Sequence, residues 1–289
     1  MKYQEFLLEH YNSFNLKDIF ECGQCFRWNE EDDGSYTGVF SNNVINVKKV
    51  DNGIFFKGMC EDDIVNTVID YFDLERDYEQ IKSILSKVDK NMEESIKYGE
   101  GIRILNQDLW ETIISFIISA NNNIPRIKGI IERLSKKYGS KIEFNNKEYY
   151  TFPRPEELKD VSVEEYRDLG LGFRDIRLYE TTNMILNKEI DISNLHKIKD
   201  TNKVREELLK LSGVGPKVAD CILLFSTLKR FDVFPIDVWV RRVMNDLYIH
   251  KEDEKNVDKK EILNLAQEKF GNLEGIAQQY LFYWRRELG

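Results

Sequence analysis

The 289-residue chain has few of the residues that ligate metals. It holds three histidines (His10, His196, His250) and four cysteines (Cys22, Cys25, Cys60, Cys221). Cys22-Gly23-Gln24-Cys25 is a C-x-x-C, but no second pair of cysteines completes a zinc site or an iron–sulfur loop. No thioredoxin-like alternation of strand and helix surrounds it, which argues against a thiol oxidoreductase. The cysteines form no regular disulfide framework, so the thiols are expected to be free, in a reducing compartment. No apolar run is long enough to span a bilayer. The opening Met1-Lys2-Tyr3-Gln4-Glu5 lacks a secretory pattern, so the expectation is a cytosolic protein without membrane contact.

An excess of positive charge is also missing. The net charge is −9, and the whole excess lies in residues 1–93; residues 94–289 sum to zero. This argues against indiscriminate polyanion binding. It leaves room for a local basic face, because phosphate affinity depends on local charge.

The composition changes character along the chain. Short strand-like runs at Tyr36–Phe40, Val44–Val47 and Ile54–Lys57 are separated by Asn42-Asn43 and Asp51-Asn52-Gly53. They predict an antiparallel meander flanked by helices. From about residue 94 the periodicity is helical. Asp108 and Glu111 form a capping-box pattern before an apolar stretch from Leu109 to Ile118 that covers nearly the whole helix circumference, as a buried central helix would. Pro125 starts another helix through Tyr138-Gly139, and further helical segments run roughly 174–188, 201–211, 216–226, 236–248, 257–270 and 273–287. The fold class is therefore α+β: a twisted antiparallel sheet with helices over residues 1–93, then a mostly helical domain over 94–289.

The most informative segment is Leu211-Ser212-Gly213-Val214-Gly215-Pro216-Lys217-Val218-Ala219-Asp220. Pro216 suits the first turn of a new helix, so the pattern reads as helix, tight Gly-x-Gly turn, helix. The two glycines permit a left-handed backbone and close approach of a ligand. The helix start offers free N–H groups and a positive dipole end, a site for a phosphate oxygen. A glycine turn between two helices is by itself ordinary, and a lysine is ordinarily solvated. Asp237, in Phe234-Pro235-Ile236-Asp237-Val238, would alone be read as a helix cap.

The whole string, with Lys217 after the hairpin and Pro-x-Asp about twenty residues later, resembles the helix-hairpin-helix, Gly/Pro-Asp superfamily of DNA repair glycosylases. The resemblance implies that Lys217 is the nucleophile and Asp237 its charged partner. Breaking an N-glycosidic bond builds positive charge on the sugar, which a carboxylate stabilises. A lysine attacks only unprotonated, so burial and cationic neighbours are expected to lower its pKa. The resulting Schiff base acidifies the 2′ hydrogens, and strand cleavage by β-elimination follows. No metal is required; in this family the hairpin's backbone carbonyls also hold a monovalent cation.

Four more blocks narrow the resemblance to the 8-oxoguanine DNA glycosylase/lyases: Gly23–Trp28, Asn121–Ile127, Gly170–Arg174 and Ala277–Phe282. The implied ligand is double-stranded DNA carrying 8-oxoguanine opposite cytosine, bound by a monomer. Oxidation turns N7 of guanine from an acceptor into a donor, so one backbone carbonyl discriminates the two bases; the resemblance assigns it to Gly23. It places Gln278 at the Watson–Crick edge, and Phe282 and Cys221 on the two faces of the flipped base. Gln278 and Phe282 are one helical turn apart and share a face. Asn121 is implied to fill the vacated space, and Arg126 and Arg174 to meet the unpaired cytosine. Phe173 takes the place of a wedge into the opposite strand, and Gly213, Gly215, Val218 and Trp239 contact the backbone. Without the resemblance, Gly23 reads as a loop glycine, Gln278, Phe282 and Cys221 as core, and the arginines as surface charge.

Two departures stand out. Phe173 replaces a common tyrosine, and Trp239 replaces a histidine of eukaryotic members, so the demand for cytosine opposite the lesion is expected to be relaxed or the DNA path altered. Two other readings predict different behaviour. A non-enzymatic DNA-structure binder has no special use for Lys217, and many alkylpurine glycosylases lack the hairpin lysine altogether.

Overall fold

A computed structural model describes residues 1–9, 11 and 13–288. The chain begins with β1 (Lys2–Glu9) and α1 (Leu16–Glu21), followed by β2 (Trp28–Glu30), β3 (Tyr36–Phe40), β4 (Asn43–Val50) and β5 (Gly53–Cys60). The five strands form one antiparallel sheet in the order β1-β5-β4-β3-β2. Ser41 and Asn42 both take positive φ, at 44° and 64°, which makes the two-residue turn that best fits the twist of paired strands.

Helices follow: α2 (Ile64–Tyr71), α3 (Tyr78–Leu85), α4 (Lys90–Tyr98), α5 (Leu109–Ser119) and α6 (Ile124–Tyr138). A second hairpin, β6 (Lys141–Phe144) and β7 (Lys147–Tyr150), precedes α7 (Val163–Asp168), α8 (Asp175–Leu186), α9 (Thr201–Leu208), α10 (Pro216–Phe225), α11 (Val238–Met244), α12 (Lys259–Phe270) and α13 (Glu274–Leu288).

One face of the sheet closes on an aromatic core of Phe14, Phe20, Trp28, Tyr36, Phe40, Phe56, Tyr71 and Phe72. The other face meets the second hairpin, where Val39 and Val44 pack on Ile142 and Phe144. This two-sided cover explains why all of β3 and the first half of β4 are buried rather than alternating. Most of the helical residues share a single large core built around α5 and α10.

The meander and the helical series agree with the sequence expectation, but β1 and the β6–β7 hairpin were not anticipated. The second hairpin turns through Asn145-Asn146, both at positive φ, so its signal was present in the sequence. The division at 93/94 falls inside α4, which packs against α13. Asp108 caps α5 through Glu111 N–H at 2.8 Å, but the expected capping box is only half formed. Glu111 is held up at about 7 by burial, with Arg27 opposing.

Candidate active site

The hairpin closes between α9 and α10. Asp200 caps α9, and Leu211 accepts from Val214 N–H at 3.1 Å across the turn. Gly213 sits at φ +83°, and a Cβ there would meet Arg177 Cδ at 2.9 Å and Ile117 Cγ2 at 3.1 Å. Both the backbone angle and the close packing therefore demand glycine. Gly215 differs: a Cβ there would find nothing within 4 Å, so this glycine leaves the start of α10 open to a ligand. Thr181 Oγ1 donates to Ser212 carbonyl at 2.8 Å and ties the turn to α8.

α10 carries Lys217 in its first turn, and every residue from Val218 to Phe225 is buried. Val218 is thus in the core. Lys217 is half-buried, its ammonium 5.6 Å from the centre of the Phe116 ring. Asp237 caps α11, accepting from Val240 N–H at 2.8 Å. One small pocket of about 50 Å³ is lined by Lys217, Asp237, Cys221, Gly23, Gln278 and Phe282, together with Cys22, Phe116, Phe225, Pro235 and Gln279. The two proposed catalytic groups and the four proposed base contacts, drawn from distant parts of the sequence, thus converge. The space suits a few waters rather than a purine. Wider recesses, such as one of about 550 Å³ beside Arg103, lie elsewhere and lack the lysine.

Lys217 departs from expectation in one respect. Its pKa is raised, first by the charge of Cys221 when ionised, then by Asp237, against burial, which lowers it. Burial pushes the Cys221 thiol up to about 11, so at neutral pH that thiol is uncharged and Asp237 is the group that favours the ammonium. The lowering expected from cationic neighbours fails because an ionisable thiol first, and a carboxylate after it, share the pocket instead of a cation.

Gln278 is 5 % exposed, and its side-chain oxygen has no hydrogen-bond partner. Burying an amide oxygen without a donor costs free energy that a ligand donor would recover. Gly23 takes φ +89°; a Cβ there would only touch Phe282 and Arg286 at 3.5 Å, so backbone angle rather than crowding requires glycine.

Of the remaining sequence candidates, Phe173 adjoins the hairpin through Arg177. Phe173 is 54 % exposed, with the guanidinium carbons of Arg174 and Arg177 at 4.2 and 5.1 Å from its ring centre. Arg177 also packs on Gly213. Arg126 reaches the Gly170 carbonyl at 3.2 Å. Asn121 is exposed at φ +51°, just past the end of α5. Arg174 is 2 % exposed and not the surface charge that its sequence suggests. It donates to the carbonyls of Ala120, Asn121 and Leu171, and so holds the turn that presents Asn121. Burial and the neighbouring Arg126 and Arg177 lower its pKa, the mark of concentrated positive charge. Trp239 is 45 % exposed two residues after Asp237. A local basic face therefore exists on a chain of net charge −9.

Sequence reading missed the residues that hold the Gly23 loop. Gln24 is fully buried; its amide donates to Ile19 and Arg103 carbonyls and accepts from Leu105 N–H. Gln107 donates to the Gln24 carbonyl at 2.7 Å, and Gln279 to the Cys22 carbonyl at 2.5 Å. For Gln279 the available signal was a pair of glutamines inside the apolar stretch Ile276–Trp284 of α13.

Among the described residues, no group of three or more His, Cys, Asp or Glu is arranged to hold a metal ion. None of the described helices is long and apolar enough to cross a membrane.

Comparison with known proteins accords with this geometry. Residues 114–272 match the HhH-GPD superfamily of base excision DNA repair proteins, and residues 6–113 match the 8-oxoguanine DNA glycosylase N-terminal domain. The chain belongs to the HhH-GPD superfamily, in the branch that carries the 8-oxoguanine DNA glycosylase N-terminal domain. It is 35% identical over 238 residues to a probable N-glycosylase/DNA lyase of Methanothermobacter thermautotrophicus, covering 75% of this chain and 73% of that one. The 8-oxoguanine glycosylase/lyase of Clostridium acetobutylicum, solved with double-stranded DNA containing cytosine opposite 8-oxoguanine, is 41% identical with a TM-score of 0.92, over 100% of this chain and 98% of that one. A structure of MBOgg1 with a low-affinity DNA ligand is 46% identical with a TM-score of 0.93, over the whole of both chains.

Proposed function

We propose that the chain excises 8-oxoguanine from duplex DNA and then cleaves the strand as a β-elimination lyase. The observation that carries this is the convergence of Lys217, Asp237 and the unpaired Gln278 oxygen in one pocket beside an open hairpin.

In this reading the hairpin and the start of α10 grip a phosphate, with Gly213 and Gly215 giving access and Val218 anchoring the helix in the core. Backbone carbonyls of the hairpin would hold a monovalent cation, which would add positive charge beside the phosphate. Asn121 enters the space left by the flipped nucleotide, supported by Arg174. Arg126, Phe173 and Trp239 meet the opposite strand and nearby backbone. The base lies between Cys221 and Phe282, with its edges on Gln278 and the Gly23 carbonyl. The pocket must widen to admit it; Phe282 is half-buried, whereas the Phe116 and Phe225 rings of the lining are buried.

Lys217, once deprotonated, bonds to C1′ as the N-glycosidic bond breaks. The base leaves with the bonding electrons and takes a proton. Asp237 offsets the positive charge on the sugar. Ring opening gives a protonated Schiff base on Lys217; loss of a 2′ proton then expels the 3′ phosphate. The enzyme acts as a monomer, in the cytoplasm.

The test is base release from duplexes carrying 8-oxoguanine, an alkylated purine, or undamaged guanine, each opposite all four bases. Release of 8-oxoguanine alone is expected, with only mild dependence on the opposite base because Phe173 lacks a hydroxyl. Preferential release of the alkylated purine would contradict the reading.

A further inference from the structure

α13 meets the site with two faces. Gln278 and Phe282 line the pocket. Gln279, which also borders the pocket, shares one side of the helix with Tyr283 and Arg286, and these three bind α1 and its exit loop. Gln279 donates to the Cys22 carbonyl at 2.5 Å, Tyr283 hydroxyl to Asp18 at 3.3 Å, and Arg286 to the Glu21 carbonyl at 2.5 Å. Gln279 is 2 % exposed. Only its NH₂ can serve a carbonyl, so the amide orientation is fixed by chemistry.

The Cys22 carbonyl belongs to the peptide plane immediately before Gly23. On the other side of Gly23, the Gln24 carbonyl is held by Gln107 and its side chain by Leu105 N–H. Gly23 itself, at φ +89°, has the widest backbone freedom in the loop. Clamped peptides therefore lie on either side of the Gly23–Gln24 peptide, which carries the Gly23 carbonyl, and together they limit its direction. The lesion N7–H donates to that carbonyl whereas the lone pair of normal N7 repels it, and both effects depend on the carbonyl's direction, so the clamp bears on discrimination.

We infer that Gln279 is a specificity-determining positioning residue: by holding the Cys22 peptide to α13, it keeps the Gly23 carbonyl in register with Gln278 on the same helix. Both readers of the base are then referenced to one rigid element. The inference rests on the glycosylase reading above.

The experiment compares the full chain with Gln279→Met and Gln279→Glu, which keep volume but remove or invert the donor. Three quantities are measured: release of 8-oxoguanine, the ratio of affinities for 8-oxoguanine and guanine duplexes, and cleavage of a pre-formed abasic site. The last uses Lys217 but has no base to recognise. Base release and the affinity ratio are expected to fall about 10-fold, the usual scale for one lost buried hydrogen bond. Abasic-site cleavage is expected to stay within about threefold of wild type. Unchanged base release and affinity ratio in both variants overturn the inference. So does an equal fall of all three activities, which a merely structural role produces. A wild-type chain that cleaves abasic sites but ignores 8-oxoguanine overturns the glycosylase reading itself, and this inference with it.

Discussion

Gln278 and Lys217 line the same small pocket from two different helices, one offering an unpaired buried oxygen and the other an amine biased toward its charged form. Neither is the state in which its group acts on a substrate. An amide oxygen seeks a donor, and a nucleophilic amine must lose its proton. A bound base would supply the donor that the Gln278 oxygen lacks.

Gln278→Leu should separate stability from recognition. Removing a buried unsatisfied acceptor is expected to raise the melting temperature of the free chain, by an amount on the order of 1 kcal/mol in stability. The same variant should bind 8-oxoguanine duplex about 10-fold more weakly. Calorimetry and a binding titration on one preparation check both. A variant that is both less stable and equally tight would remove Gln278 from the pocket's chemistry.

In the proposed mechanism Asp237 adds a second duty to its helix cap, and a single substitution can divide the two. Asparagine caps helices as well as aspartate, so Asp237→Asn should leave stability nearly unchanged. The single-turnover rate of base release should fall by well over ~10-fold, because the charge facing the sugar is gone. Asp237→Ala should lose the cap as well, at a cost of about 1 kcal/mol. A rate for Asp237→Asn within twofold of wild type would reduce this residue to a cap.

The raised pKa of Lys217 predicts the direction of the pH profile. Only the amine attacks, so single-turnover base release should climb with pH across the neutral range instead of reaching a plateau there. In Asp237→Asn the rise should move to lower pH, since a group that favours the ammonium has been removed. A flat wild-type profile between pH 6 and 9 would contradict this account of the resting lysine.

Glu274, at the start of α13, is buried beside Asp232, Asp220 and Arg205, and one carboxyl oxygen has no partner. Burial first, then the two aspartates, push its pKa up to about 7. In the window from the ordinary carboxyl value to that point, the native chain binds more protons than the unfolded one. Stability should therefore fall as pH rises through the window. Glu274→Gln should abolish this slope and gain on the order of 2 kcal/mol above pH 7. Melting temperatures of both proteins from pH 4.5 to 8 test the sign.

What was legible in the sequence was local. The hairpin with Lys217, the buried α5 and the Asp237 cap follow from glycine placement, apolar periodicity and capping chemistry within short windows. The strand β1 was not legible because Lys2–Glu9 reads as mixed polar sequence until it pairs with β5. The buried state of Arg174 was hidden because its partners, the Ala120 and Asn121 carbonyls, lie more than fifty residues away. The same is true of Gln279, whose partner Cys22 stands at the other end of the chain. The direction of the Lys217 shift was misread because it depends on which charges share the pocket, and the helix alone does not say.

Borohydride reduction of the chain with 8-oxoguanine duplex, followed by peptide mapping of the covalent complex, tests the central claim most directly. The sugar remnant should be found on Lys217, and Lys217→Gln should bind the duplex yet form no adduct and release no base. An adduct on any other amine, or base release by Lys217→Gln at the wild-type rate, would contradict the account.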